Sequence, residues 1–278
     1  MTDAENKQIV PFVAQKLPVC QIPDCKLVVD VVFRSSDGSL CGAHAKTLEI
    51  FAEGFPPASL LKENEPEVVQ LTEDSKTLEL LLQYLHAGRH PALSSYAFPT
   101  VASLAEAVEK YQVYGAIELC KVRMELSVQN HSLEVLAYAV KHNYRQLANQ
   151  AAPLTLKKSF QTIRRALPVN GALAWAQYRD ECMELMRKAI NVSPPVILHK
   201  GGRASCEEWP EFYMLVRDNF TGNLDNLEDY REMPHFIEAK IDKYLGECKN
   251  CQRRAQNWSG AISRQILHEH APDFTSCL

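Results

Sequence analysis

Nine cysteines and nine histidines are the side chains best able to do chemistry in this chain. The stretch CKNC places Cys248 and Cys251 three residues apart, which on a helix turns both thiols to one face. A four-coordinate zinc would need two further ligands, and Cys206, Cys277, His268 and His270 are the candidates in the C-terminal half. The spacing does not choose among them. Free cysteine is among the most buried residue types, so thiols packed into a helical core account for the pair, and the expectation is no metal ligand and no cofactor. His268 and His270 lack the i, i+4 spacing that aligns two imidazoles on one helical face, and read as a solvated helix end.

His44 stands in VVDVVFRSSDGSLCGAHAKTL (28–48), just where a helix should begin. A catalytic histidine needs a nucleophile and an orienting acid, and no motif supplies the pair, so His44 reads as structural. HKGGRAS (199–205) sets two glycines and an arginine before a helix start and reads as a plain loop. The chain has no G-x-S-x-G elbow, no phosphate-cradling or dinucleotide glycine motif and no H-E-x-x-H. No catalytic residue is expected, and the chain is not read as an enzyme.

The elements that must position these groups follow from hydrophobic periodicity. Residues 1–26 combine charge and three prolines without period and read as an extended arm. Val28–Phe33 is a β-branched run suited to a strand buried on both faces, Asp37-Gly38 is a hairpin turn, and Ser39–Gly42 is the return strand. Leu48, Phe51, Ala52 and Phe55 mark a short helix stopped by Gly54, Pro56 and Pro57. EVVQL (67–71) is a third strand. Leu78, Leu81, Leu82 and Leu85 then stripe a helix with acids at its start. Two more helices carry Leu104, Val108 and Tyr111, then Ile117, Cys120 and Met124. Beyond Ser127 strand signals vanish. Two short helices, a long one over GALAWAQYRDECMELMRKAI, one from Ser205 to Asp218 with a capping-box start, and one from Phe236 to Trp258 are expected.

The 278 residues, 46% of them hydrophobic, are enough for one large domain or two modest ones. The net charge is −4, with 11 basic against 17 acidic residues in 1–130 and 19 against 17 in 131–278. Neither part has the basic excess that phosphate backbones demand, so direct binding to nucleic acid is not expected. No apolar run approaches the ~20 residues that cross a bilayer, and the N-terminus lacks the apolar core of a secretory signal. An odd number of scattered cysteines fits reduced thiols and a cytoplasmic or nuclear location.

The order VVDVVFRSSDG, GAHAKTLEIFAEGF, EVVQLTEDSKTLELLLQYLHAG, LAEAVEKYQVYGAIELCKVRM resembles a BTB/POZ domain over residues 27–126. NHSLEVLAYAVKHNYRQLANQAAPLTL is similar to the BACK-like helical extension that follows many such domains, as in fungal BTB proteins with a helical C-terminal half. The resemblance implies an α+β fold: an extended arm (1–26), a BTB/POZ domain (27–126) with a small sheet capped by helices, and an all-helical domain (127–278). It also makes Asp30 and His44 structural signatures. Many members carry a basic residue directly after the histidine. Here Ala45 stands there and Lys46 comes one later, about 100° round the helix, so that groove chemistry does not carry over. The function implied is a non-enzymatic protein–protein interaction module with protein partners, self-association into a homodimer being one mode. The alternatives are a substrate adaptor holding a cullin scaffold of a ubiquitin ligase, a transcriptional regulator acting through partners, and an enzyme with its site in the helical half. Cullin-binding members carry a hydrophobic-x-acid motif before the third strand. Leu61 and Glu63 of LKE occupy that place and are the residues expected to touch a partner.

Overall fold

The computed structural model describes residues 18–55, 67–199, 201–203, 206–220, 230–268 and 272–278. They form a mixed α+β chain of two compact units, 1–126 and 127–278. Among the described residues no helix is long and apolar enough to cross a membrane. Leu61 and Glu63 lie outside the described residues, as does Ser205.

In the first unit β1 (Val31–Arg34) pairs antiparallel with β2 (Leu40–Ala43) and parallel with β3 (Glu67–Gln70), giving the order β2-β1-β3. Val31, Val32 and Phe33 are all buried, as a central strand covered on both faces requires. The strand is shorter than its β-branched run, because Val28 is exposed and pairing begins only at Val31. Gly38, at φ +85°, supplies the left-handed backbone of the β1–β2 turn. The Asp37 carboxylate beside it accepts first from the Ser35 hydroxyl, then from the Ser75 hydroxyl at 2.7 Å and the Ser75 backbone N–H at 3.1 Å. These bonds hold its pKa far below the usual carboxylate range and pin the turn to the start of α2.

Helix α1 (Ala45–Phe51) follows β2, and α2 (Ser75–Tyr84) follows β3. Asp74 caps α2 by accepting from the Thr77 N–H at 2.7 Å, while Leu78, Leu81, Leu82 and Leu85 are buried as their spacing predicts. Burial works against charge on Glu73, but Lys110 and the Tyr111 hydroxyl, at 2.8 and 2.7 Å, outweigh it and hold the carboxyl below its ordinary range. That joins α2 to α3 (Phe98–Tyr111), after which α4 (Tyr114–Ser127) closes the unit.

The second unit, among its described residues, has helices and short 3₁₀ turns and no strand. Its helices are α5 (Ser132–Lys141), α6 (Arg145–Ala151), α7 (Phe160–Ala166), α8 (Val169–Asn191), α9 (Glu208–Phe220), α10 (Met233–Leu245) and α11 (Lys249–His268). The single helix expected over Phe236–Trp258 is in fact two. The chain breaks at Gly246–Cys248, where the Cys248 N–H reaches only to the Leu245 carbonyl at 3.1 Å before α11 restarts. Trp209, Phe212, Ile237, Ile241, Cys251 and Trp258 share the core that α9, α10 and α11 enclose.

Candidate metal centres

Two groups of four thiol and imidazole side chains converge, one in each unit: Cys20, Cys25, His44 and His86, and His199, Cys206, Cys248 and Cys251. Within each group the four donor atoms all lie within 4.8 Å of one another.

The first group is built where the arm meets the sheet. Gly42 of β2 lets the arm lie close, since a Cβ there would stand 2.8 Å from the Pro18 carbonyl oxygen. The chain then turns between the two thiols, with the Cys25 N–H donating to the Ile22 carbonyl at 3.2 Å and Asp24 at φ 60°. His44 occupies the N-cap position of α1, yet its side chain does not cap the helix. Asp30 takes that role, accepting from the Ala45 N–H at 2.7 Å, which frees the imidazole to turn toward the arm.

Two carbonyls then fix the imidazoles. His44 Nδ1 lies 2.6 Å from the Val28 carbonyl oxygen, and His86 Nδ1, just past the end of α2, lies 2.7 Å from that of Leu82. A carbonyl only accepts, so each Nδ1 carries the proton and each Nε2 presents a lone pair. Those lone pairs face thiols: His44 Nε2 is 3.3 Å from Cys25 Sγ, and His86 Nε2 is 3.5 Å from Cys20 Sγ. The rings stand edge to face at 77° with centroids 5.2 Å apart, both aimed at one point. Burial first, and then the Cys25 thiol, push the Cys20 thiol upward.

The second group repeats the device on helices. HKGGRAS holds His199 in a tight loop, where the Gly202 N–H donates to the His199 carbonyl at 3.0 Å and Gly201 and Gly202 take φ of +87° and +78°. His199 Nδ1 is 3.2 Å from the Arg203 carbonyl oxygen, so Nε2 again points outward, to Cys248 Sγ at 3.1 Å and Cys251 Sγ at 3.3 Å. Cys206, ahead of α9, brings its Sγ to 3.0 Å from that of Cys251. Burial opposes charge on Cys248, but the Cys251 backbone N–H, Cys206, His199 and the Cys251 thiol outweigh it and hold the thiol down at about 7. Burial, then Cys251, pushes Cys206 well above the ordinary thiol range. The two neighbouring thiols are thus shifted in opposite directions.

The structure thus places Cys248, Cys251 and Cys206 together, as their types allowed, but supplies His199 as the fourth member. Cys277 lies elsewhere in the unit, its thiol 3.9 Å from the Glu181 carboxylate. His270 and the side chain of His268 fall outside the described residues. The plain core reading fits Cys251, which is fully buried, and not Cys248, which sits at the partly exposed entry to α11. Cys20, Cys25, His86 and His199 were not singled out as ligands from the sequence. The two thiols five residues apart in the arm were the legible signal, and a histidine beside paired glycines ahead of Cys206 was the other.

No family model and no curated protein matches the chain.

Proposed function

We propose that the chain is a non-enzymatic protein-interaction module, residues 27–126 forming a BTB/POZ-type domain and 127–278 a helical extension. The observation that carries the reading is α4. Its inner face buries Ala116, Cys120 and Met124, while Leu119, Val122 and Leu126 on the opposite side are 45, 50 and 69% exposed. A helix apolar on both sides suits burial on both sides, and the 3 and 4 residue spacing makes the outer stripe the kind of seam that a partner helix fills. The module works through this surface, and a second copy of the chain is one partner able to supply the helix.

Leu119→Glu combined with Val122→Glu tests this in the full chain. Each exposed side chain that a partner buries contributes ~1.5 kcal/mol or more, so the double variant should weaken association about a hundredfold with an unchanged melting temperature. Sedimentation velocity reads self-association, and quantitative affinity capture with and without the substitutions reads other partners, cullins included. A wild-type chain that stays monomeric, and whose captured proteins are retained in full by the double variant, would overturn the proposal.

A further inference from the structure

We propose that both groups of four are structural zinc sites, Cys₂His₂ in the first unit and Cys₃His in the second, each clamping a segment without regular structure onto its unit. The inference is independent of the interaction reading and would survive its failure.

The donor chemistry selects the ion. Every donor is a thiol sulfur or an imidazole nitrogen, the set that zinc takes in four-coordinate sites, and no carboxylate belongs to either group. The geometry agrees. A zinc tetrahedron with its usual bond lengths has edges of roughly 3.6 Å between sulfur and nitrogen and roughly 3.8 Å between sulfurs. The sulfur–nitrogen separations here are 3.1 to 3.5 Å, and the Cys206–Cys251 sulfur separation is 3.0 Å. These hydrogen-bonded pairs are slightly tighter than a metal would hold them and no other pair exceeds 4.8 Å, so small movements of the side chains accommodate the ion.

The surroundings favour metal over mere packing. All three histidines direct Nδ1 at a backbone carbonyl, the support that orients a metal-bound imidazole and fixes the tautomer with Nε2 free. Three independent loops and helix ends meeting this requirement is more than hydrogen bonding among thiols demands. Charge balance also fits. Zinc binding would displace two thiol protons in the first site, leaving a neutral centre against the buried rings of His44 and His86. It would displace three in the second, leaving one negative charge where Cys206 and Cys248 are partly exposed. With four protein ligands each, both centres are closed, which makes them structural.

The segments clamped explain why ligands are needed there. Among the described residues, 18–30, 192–199 and 201–203 form no helix or strand, and hydrophobic packing alone holds such segments poorly. One site fastens the arm across β2, α1 and the end of α2. The other fastens the His199 loop to the entries of α9 and α11.

The full chain, produced with zinc in the medium and purified under reducing conditions without chelator, should carry two zinc ions by plasma mass spectrometry. Cys20→Ser and Cys248→Ser should each lower the content to one, and together to none. Cys277→Ser, outside both groups, should keep two. Should a variant fail to fold, the wild-type chain gives the answer. Refolding it with cobalt should produce thiolate-to-cobalt charge transfer and the d–d bands of tetrahedral sites, and a mercurial should release two equivalents of zinc. The proposal is overturned by a wild-type chain with less than one zinc and no cobalt–thiolate absorption, by iron or copper in zinc's place, or by an unchanged zinc content in the cysteine variants.

Discussion

Trp258→Ala will unfold the second unit at ordinary temperature. Trp258 is fully buried in α11 among Trp209, at 6.5 Å between ring centroids, and Tyr213, at 5.5 Å, and its indole Nε1 donates to the Val192 carbonyl at 2.7 Å. Truncating a buried tryptophan costs ~3 to 5 kcal/mol, and a carbonyl left without its donor costs roughly 1 to 3 more. The sum rivals the whole stability of a typical domain, ~5 to 15 kcal/mol. Hydrogen exchange read by mass spectrometry should show α9, α10 and α11 losing protection in the variant. Trp258→Phe keeps most of the packing and loses the hydrogen bond, so it should remain folded with a lower melting temperature. If Trp258→Ala melts within a few degrees of wild type, the core is wrongly placed.

Gly54→Ala is the corresponding test of the first unit. A Cβ on Gly54 would stand 2.6 Å from Tyr111 Cα, 2.8 Å from Tyr111 carbonyl carbon and 2.9 Å from the Lys110 oxygen, all backbone atoms that cannot swing aside. The Gly54 N–H donates to the Tyr111 carbonyl at 2.9 Å, so the close approach is a hydrogen-bonded join between the chain leaving α1 and the end of α3. Phe55 beside it stacks on Phe33 at 5.3 Å and on Tyr111 at 4.4 Å, and displacing the backbone would spoil both contacts. Overpacking of this kind costs ~3 kcal/mol or more, and the melting temperature of this unit should fall by roughly 10 °C. A Gly54→Ala chain with unchanged melting would show that α1 and α3 do not meet this way.

Gly54 also shows where sequence reading falls short. Its composition with Pro56 and Pro57 was enough to end α1. Nothing local to it could reveal that a helix terminus 57 residues later would press on its Cα. The sheet and its helices were legible because period and burial coincide: Val31–Phe33 is apolar without interruption, and the α2 leucines recur at helical spacing. The break between α10 and α11 was hidden for a chemical reason. Ile237, Ile241 and Leu245 continue into Cys251, Ala255, Trp258 and Ile262, and with Cys248 counted as apolar the stripe appears unbroken. A thiol is hydrophobic by composition but a ligand by chemistry, and periodicity cannot separate the two roles.

The same ambiguity limited the reading of the metal groups. Cys248 and Cys251 announce themselves by spacing, and Cys206 stood among their candidate partners. Cys20 and His86 are 66 residues apart, and only the folding of α2 beside the arm brings them together. His44 read as structural from the sequence, and in the fold Asp30 caps the helix while the imidazole lies between the Val28 carbonyl and the Cys25 thiol. The partner contacts expected at Leu61 and Glu63 fall outside the described residues, and α4 carries the interaction proposal instead.

On the zinc proposal, the two groups of four thiols and imidazoles hold the shape of the chain. X-ray absorption at the zinc edge of the purified full chain reads those ligands. Two closed centres, one with two thiolates and one with three, should give on average two and a half sulfurs and one and a half nitrogens per zinc. The corresponding bonds should be about 2.3 Å to sulfur and about 2.0 to 2.1 Å to nitrogen. A shell that instead contains a water oxygen with fewer sulfurs would mean an open, catalytic type of site, and a chain without zinc would mean that the two groups clamp nothing; either result contradicts the account.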